Sequence, residues 1–275
     1  MSRYRNLWNF LLKANRRVAY EIVNYKFRLF SPRFPATNRL VDVEKFGSLY
    51  GQKFLASDLV GQNPVLISGG VGEDVSFDIE FLNKFGGVVL FFDPTERAIH
   101  YFKTLSLSLG NRKTVSYTEN GVQPIAAYDL SKITESSLHF YPLALLDRKQ
   151  KVRFYQPPNK SHVSYSIQNI QNRFNSDGDY IEVEAIGPTE MMKFVASNEI
   201  DVMKLDIEGS EYYFLTSLFK VRIFPRQILV EIDELSFPSL KSRRMAKMIF
   251  KLMRNNYYTL IHRSGYEFTY LRQEE

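Results

Sequence analysis

The feature that most constrains the fold is a strand–turn–helix–strand pattern that occupies residues 63–93. An apolar run at 65–67 leads into a turn of small residues at 68–72, and a helical segment follows. A second apolar run, at 88–92, ends on Asp93. Strand and helix signals continue to alternate along the chain, which predicts a mostly parallel sheet covered by helices on both faces. The predicted fold class is therefore α/β.

The turn and the acid that ends this pattern are candidate ligand contacts. Gly69, Gly70 and Gly72 carry no Cβ, so a ligand could approach the backbone there. A carboxylate at the end of the second strand, such as Asp93, can accept hydrogen bonds from both hydroxyls of a ribose. The simpler interpretation is a tight turn followed by a helix cap. The strand–turn–helix context favours a nucleoside site, although Val75 breaks the G-x-G-x-x-G pattern of nicotinamide-binding folds.

Composition limits the classes to which the chain can belong. Its 275 residues suffice for one large α/β domain with a small extension. Cys is absent from the sequence, which excludes disulfide frameworks and thiolate metal sites. No apolar run approaches the roughly 18 residues of a membrane span, and we expect no signal peptide. These features favour a cytoplasmic protein.

Positive charge is concentrated at the start of the chain. Residues 1–33 contain eight Lys or Arg and one acid, whereas the rest of the chain holds 28 basic and 29 acidic side chains. Apolar residues near helical spacing over 4–30 predict a basic amphipathic helix. Such a helix could lie peripherally on the inner face of a membrane, or dock on its own domain or on a second subunit, and docking on protein is favoured. We therefore predict a helical extension at 1–50 and a domain at 51–275, and the near-neutral domain argues against nucleic acid as a partner.

The last part of the sequence departs from the parallel pattern. Two alternating segments, 257–262 and 266–271, flank a turn that contains Gly265. This arrangement predicts an antiparallel hairpin that closes the sheet. Earlier in the chain, an apolar run at 138–145 predicts the third strand, and a polar loop at 156–175 follows it.

Five strings, in this order, resemble the FkbM-type family of class I S-adenosylmethionine-dependent methyltransferases: GVGEDVSFD from Gly70, FFDPT from Phe91, HVSYSI from His162, KLDIEGSEY from Lys204 and LVEIDE from Leu229. The resemblance covers about residues 60–271. It implies a Rossmann-like fold with a seven-stranded, mostly parallel sheet and a C-terminal antiparallel hairpin. It also implies S-adenosyl-L-methionine as cofactor and O-methylation of a hydroxyl on a sugar, a polysaccharide or a secondary metabolite.

The sequence differs from the usual class I pattern at two places, and the resemblance assigns roles around them. Ser68 stands where many class I enzymes have an acid, and Asp74 stands where a third glycine is usual. The resemblance implies that Glu73 or Asp74 contacts the positively charged amino group of the methionine part of the cofactor. Their alternative role is only to compensate the helix dipole. Asp93 would bind the ribose with Thr95 as a minor contact.

The resemblance also points to the remaining contacts of the cofactor and the acceptor. Ala144, at the end of the third strand, would lie near the adenine. Carboxylates follow the fourth strand, where class I enzymes bring the acceptor to the transferable methyl. Because transfer from a sulfonium is an in-line displacement, the enzyme must align a hydroxyl and remove its proton. Asp206 is the first candidate for that base, Glu208 is the second and His162 in the polar loop is a third.

Each of these candidates has a structural alternative. The loop around His162 could equally be an ordered surface loop, and Glu211 is better explained as a cap of the following helix. The acids near the strand ends could hold Mg²⁺ or another hard cation, but their spacing does not select one. The prediction is a site without a metal; the acids in question are Asp206, Glu208, Glu231 and Asp233.

Two other functions stay open at this point. The basic start of the chain suggests a nucleic-acid methyltransferase, but N-methylating enzymes of this fold often carry an Asn-Pro-Pro-Tyr-like string where residues 206–209 read DIEG. A non-catalytic nucleoside-binding or scaffold protein could also use the same fold. The favoured partner is a small-molecule or glycan acceptor, with membrane contact or self-association through residues 1–33 as a further possibility.

Overall fold

The computed structural model describes residues 25, 31–38, 40–155, 179–197, 199–236 and 239–273. The strands in these ranges are β1 (Glu44–Phe46), β2 (Lys53–Leu55), β3 (Val65–Gly69), β4 (Val88–Phe92), β5 (Leu138–Tyr141), β6 (Ala144–Leu145), β7 (Gln150–Tyr155), β8 (Tyr180–Ile186), β9 (Val202–Leu205), β10 (Gln227–Glu231), β11 (Tyr258–Ser264) and β12 (Glu267–Arg272). The α-helices are α1 (Ser76–Phe85), α2 (Glu96–Ser106), α3 (Pro188–Met191), α4 (Glu211–Lys220) and α5 (Leu240–Asn255).

Seven strands form one sheet in the order β11–β12–β10–β9–β3–β4–β5. β3 pairs in parallel with β4 and β9, and parallel pairing continues outward to β5 and β10. β12 is antiparallel to both of its neighbours, β10 and β11. The predicted mixed α/β fold with a seven-stranded, mainly parallel sheet is confirmed.

The central strands are covered on both faces, which explains why they read as continuous apolar runs. Every residue of β3 and β9 is buried. Side chains along β3 alternate between two cores, so that Leu66 packs with the apolar faces of α1 and α2. Val65 and Ile67 pack in the other core, with α4 and α5. This arrangement fixes the carboxyl ends of the parallel strands along one edge of the sheet.

Two small sheets accompany the main one. β1 and β2 form an antiparallel pair, and β6, β8 and β7 form a three-stranded sheet. The side-chain amide of Gln227, at the start of β10, bonds both backbone groups of Ala56, and the Thr269 hydroxyl of β12 donates to the Phe54 carbonyl. The β1–β2 pair is therefore fixed to the antiparallel side of the main sheet. The boundary predicted at residue 50 falls between these two strands.

The apolar run at 138–145 differs from the single strand predicted there. It divides into β5 in the main sheet and β6 in the three-stranded sheet. Pro142 lies at the division, and because it has no N–H it cannot continue the ladder.

Two predicted segments fall on parts of the chain that the structure does not describe. The basic helix predicted over 4–30 and the polar loop at 156–175 lie outside the described residues, apart from Tyr25. Among the residues that are described, helices with enough length and apolar character to cross a membrane are absent.

Candidate active site

A cavity of about 580 Å³ opens at the carboxyl edge of the parallel strands. Its volume is within the usual range for a small-molecule site. The walls come from the loops that follow β3, β4, β9 and β10, from the connection between β1 and β2, and from the turn before β12. The lining includes Tyr50, Lys53, Gly70, Gly72, Glu73, Asp74, Asp93, Thr95, Ala144, Lys204, Asp206, Glu208, Glu231, Asp233, Tyr266 and Glu267.

The glycine turn after β3 lines this cavity, and its residues have different tasks. Gly70 has φ of +76°, and a Cβ on it would stand 1.7 Å from the Asp206 carbonyl oxygen. Only glycine allows β3 and β9 to leave the sheet so close together. Gly72 has φ of +54°, and no atom in the described structure lies within 4 Å of its hypothetical Cβ. The backbone at Gly72 is therefore open to a ligand.

Gly69 is placed differently from the prediction. It is the last residue of β3, and a Cβ there would meet side chains of Ile207 and Leu145 at 2.9 Å. Close packing explains this glycine, and the structure does not bring it to the cavity wall.

The Asp93 carboxylate faces the glycine turn. Its Oδ2 accepts from the backbone N–H groups of Val71 at 2.9 Å and Gly72 at 3.0 Å. Its Oδ1 accepts from the Thr95 backbone N–H at 2.9 Å and from the Thr95 hydroxyl at 2.6 Å. The ribose interpretation needs both oxygens to be free, whereas each oxygen already accepts two hydrogen bonds within the protein. Asp93 holds the glycine turn against the start of α2, and direct ribose contact stays a prediction that needs one of these bonds to exchange.

The other predicted cofactor contacts also line the cavity. Glu73 forms an ion pair with Arg97. Asp74 accepts from the Ser76 N–H at 2.9 Å, at the start of α1, and from the Ser48 hydroxyl at 2.6 Å. Thr95 caps α2 by accepting from the Ala98 N–H. Since these side chains already have protein partners, contact of Glu73 or Asp74 with the methionine amino group, and of Thr95 with the ribose, stays a prediction.

A buried ion pair lies beside the position of the missing strand-end acid. Lys204 of β9 is opposite Ser68 of β3, and its Nζ is 3.0 Å from Oδ2 of Asp78 on α1. Both charged side chains are almost completely buried, and the Ser68 hydroxyl has no hydrogen-bond partner in the described structure. A Lys inside the apolar run 202–205 was a sequence signal for such a pair, because a buried charge needs a partner.

Asp206 and Glu231 lie side by side at the ends of β9 and β10. Burial and the neighbouring carboxylate raise the pKa of Asp206 to about 7. Burial likewise raises the pKa of Glu231 to about 7, against the opposing effect of Lys53. The two carboxyl groups are hydrogen-bonded to each other. A proton shared by this pair can be lost near neutral pH, which is the property a general base needs.

Lys53 supplies positive charge to this pair. It is 4% exposed, and its Nζ lies 3.5 Å from a Glu231 oxygen and 3.9 Å from an Asp206 oxygen, with a third ion pair to Glu267. Burial alone would lower the pKa of Lys53, but the three carboxylates raise it well above its usual value. Lys53 and Glu267 were both missed by sequence reasoning, because a single Lys in a three-residue strand carries no local signal.

The loop between β9 and α4 presents Glu208 to the cavity. Glu208 has φ of +54°, which a residue with a side chain seldom adopts. The Glu211 carboxylate accepts from the N–H groups of Ile207 and Gly209, so it binds the loop that precedes α4, and its role as a cap of the helix itself stays a prediction. Oxygens of Asp206, Glu208 and Asp233 lie within 4.8 Å of one another. Burial and nearby acids raise the pKa of Asp233 well above its ordinary value.

Ala144 and His162 are the remaining candidate residues. Ala144 is buried at the cavity wall, as the first residue of β6. His162 lies outside the described residues, so its proposed part in catalysis stays a prediction.

The family profile described as Methyltransferase FkbM domain matches residues 60–267. The sequence has no match among curated proteins.

Proposed function

The chain belongs to the FkbM methyltransferase family, and from that premise we propose that it transfers a methyl group from S-adenosylmethionine to a hydroxyl. The acceptor in this proposal is a sugar, a polysaccharide or a secondary metabolite. The sheet order, with an antiparallel β12 inserted beside β10, supports a Rossmann-like class I arrangement.

The observation that carries the proposal is that the open glycine turn and a proton-accepting pair line the same cavity. Gly72 offers open backbone on one side, and Asp206 and Glu231 stand at the ends of neighbouring strands. The space left open at Gly72 fits a nucleoside that approaches the backbone closely. When bound, the sulfonium cofactor would supply an electrophilic methyl carbon.

The protein's own residues would then prepare the acceptor. Methyl displacement from sulfur to the acceptor oxygen, with the electron pair of the broken carbon–sulfur bond left on sulfur, is the chemistry that the cofactor would supply beside the glycine turn. The hydroxyl proton has to leave, and the Asp206–Glu231 pair is placed to take it. Glu208 lines the same wall and could orient the hydroxyl, and His162 stays an alternative proton acceptor.

Isothermal titration with S-adenosylhomocysteine and S-adenosylmethionine tests the cofactor part of the proposal. We expect micromolar binding of both ligands by the wild-type protein, and at least a tenfold weaker Kd for Asp93→Ala. Asp129 provides a matched control, because its carboxylate accepts from the N–H and hydroxyl of Ser131, as Asp93 does with Thr95, but on an exposed turn. Asp129→Ala should bind as the wild type does. Failure of the wild-type protein to bind either nucleoside would refute the proposal.

Transfer of labelled methyl into a fractionated extract of the native host tests the reaction itself. Mass analysis of the labelled product would show whether the new bond is to oxygen and whether the acceptor is a carbohydrate. Nucleoside binding without label in any fraction would favour a non-catalytic protein, and label in nucleic acid would favour the other alternative.

We also propose a place of action from the charge of the N-terminal segment. The excess of basic residues at 1–33 suits contact with an anionic surface at the inner face of a membrane, or with a second copy of the chain, in the cytoplasm. Flotation with vesicles containing anionic lipid, with and without residues 1–33, tests the membrane contact. Equal recovery of the two forms would contradict it.

A further inference from the structure

The wall formed by β1, β2 and their connection precedes the segment that matches the family profile. That segment begins at residue 60, whereas Tyr50, Gly51 and Lys53 line the cavity. The family match therefore does not account for this wall, which we call the N-terminal hairpin (Glu44–Leu55).

The N-terminal hairpin is fixed to the loop that carries the predicted cofactor contacts. The Ser48 hydroxyl donates to Asp74 at 2.6 Å, and the Ser48 N–H donates to the Ser76 hydroxyl at 2.7 Å. The Gly47 N–H donates to Glu80 at 2.6 Å. With the bonds of Phe54 and Ala56 to the main sheet, these contacts hold the hairpin on two sides of the cavity.

Lys53 is the point where the N-terminal hairpin meets the proposed base. Its Nζ approaches Asp206, Glu231 and Glu267, which lie on three different segments of the chain. The other lysine at the cavity, Lys204, is 3.0 Å from Asp78 of α1 and is thereby engaged by that carboxylate. Lys53 is consequently the cation best placed to orient the Asp206 carboxylate.

We propose that the N-terminal hairpin is a working part of the active site and that Lys53 is a positioning residue that holds Asp206 toward the acceptor. This inference rests on the proposed function. The ammonium attracts one oxygen each of Asp206 and Glu231 to the same side of the cavity, where two carboxylates alone would repel each other. Without Lys53, the Asp206 side chain is expected to rotate away from the acceptor, while the glycine turn keeps its structure.

A simpler role for Lys53 would be to attach the hairpin to β12 through Glu267. Kinetics separate the two roles, because an attachment role affects folding and cofactor binding alike, whereas a positioning role affects turnover. The variants are Lys53→Met, which removes the charge, and Lys53→Arg, which keeps it. The matched control is Lys84→Met, which removes the exposed ion pair between α1 and Glu44 of the same hairpin.

The assay is the initial rate of label transfer from S-adenosylmethionine into the accepting extract fraction, at a fixed excess of that fraction and varied cofactor. Lys53→Met should lower the saturating rate by about tenfold or more, with the cofactor KM within about threefold of wild type. Lys53→Arg should recover most of the rate, and Lys84→Met should stay within about twofold of wild type. Far-ultraviolet circular dichroism and S-adenosylhomocysteine titration check that each variant is folded. Should Lys53→Met not fold, Lys53→Gln takes its place with the same expectation.

A double variant tests whether Lys53 acts through Asp206. Asp206→Asn combined with Lys53→Met should be no slower than Asp206→Asn alone, within about twofold, because a positioning residue has no effect once its target is removed. An equal loss in both backgrounds would overturn the inference, as would transfer by Lys53→Met at the wild-type rate. If the wild-type protein binds no cofactor and transfers no label, the proposed function fails and this inference fails with it; transfer by the wild type and Lys53→Met alike refutes the inference alone.

Discussion

Replacement of Asp93 with alanine removes the acceptors of four hydrogen bonds that meet at the cavity. Two of the donors are backbone N–H groups of the glycine turn, at 2.9 and 3.0 Å, and two belong to Thr95. A hydrogen bond to a charged group is worth about 1.5–3 kcal/mol, and a buried donor without a partner costs about 1–3 kcal/mol. The Thr95 hydroxyl can rotate and the Gly72 N–H can meet water, so the Val71 and Thr95 N–H groups dominate the loss. We expect unfolding free energy to fall by about 3–5 kcal/mol.

Urea unfolding followed by circular dichroism measures this loss. Asp129→Ala, which removes the same local bonding pattern at an exposed turn, should cost less than about 1 kcal/mol. Asp93→Asn keeps one acceptor oxygen and should fall between the two. Equal stability of Asp93→Ala and Asp129→Ala, or unchanged nucleoside affinity of Asp93→Ala, would refute the conclusion that Asp93 organises the glycine turn.

Four further substitutions and a pH series test other parts of the cavity. Asp206→Asn should raise the melting temperature at about pH 8 but not at about pH 4. The pKa of Asp206 is raised to about 7 in the fold, so the loss of stability caused by its ionisation is absent below its unfolded pKa and complete above about pH 7. Because the Asp206 carboxyl must lose its proton before it can act as a base, methyl transfer by the wild type should increase as pH rises through about 7. Lys204→Met leaves Asp78 buried without its partner and should lower unfolding free energy by about 3–5 kcal/mol in urea. Gly70→Ala should prevent soluble expression, whereas Gly72→Ala should cost about 1–2 kcal/mol, because only the first new Cβ meets a backbone oxygen.

Each of these expectations has a result that contradicts it. A melting temperature of Asp206→Asn that falls at high pH would show that the ion pair with Lys53 outweighs burial. Full stability of Lys204→Met would show that the ion pair with Asp78 does not stabilise the fold. Normal folding of Gly70→Ala would show that β9 can move away from the turn.

Local patterns were sufficient to predict the central part of the sheet. Apolar runs predicted β3 and β4, and the rule that parallel strands end at one edge agrees with the placement of Gly70, Gly72, Asp93 and Asp206 at one cavity. The bonding of Asp93 was not predictable, because it depends on how far the side chain reaches. Because the Asp93 side chain lies so close to the turn, it accepts from two backbone N–H groups there instead of extending into the cavity.

Contacts between distant parts of the chain were also beyond sequence reasoning. Lys53 reaches Glu267 across 214 positions, and neither residue belongs to a recognisable motif. Lys204 differs from Lys53, because a charge within an apolar strand is a sequence signal for a buried partner. That signal does not identify Asp78 as the partner.

The wide separation of the paired segments has a consequence for how the protein is made. Because β3 lies beside β9, the Val65 N–H donates to the Asp201 carboxylate. The ion pair of Lys53 with Glu267 likewise connects β2 to β12. A nascent chain emerging from the ribosome therefore exposes the apolar pair β3 and β4 long before β9, the other neighbour of β3, exists. Folding should be slow and sensitive to aggregation, and added nucleoside can stabilise only chains that have already completed nearly the whole sheet.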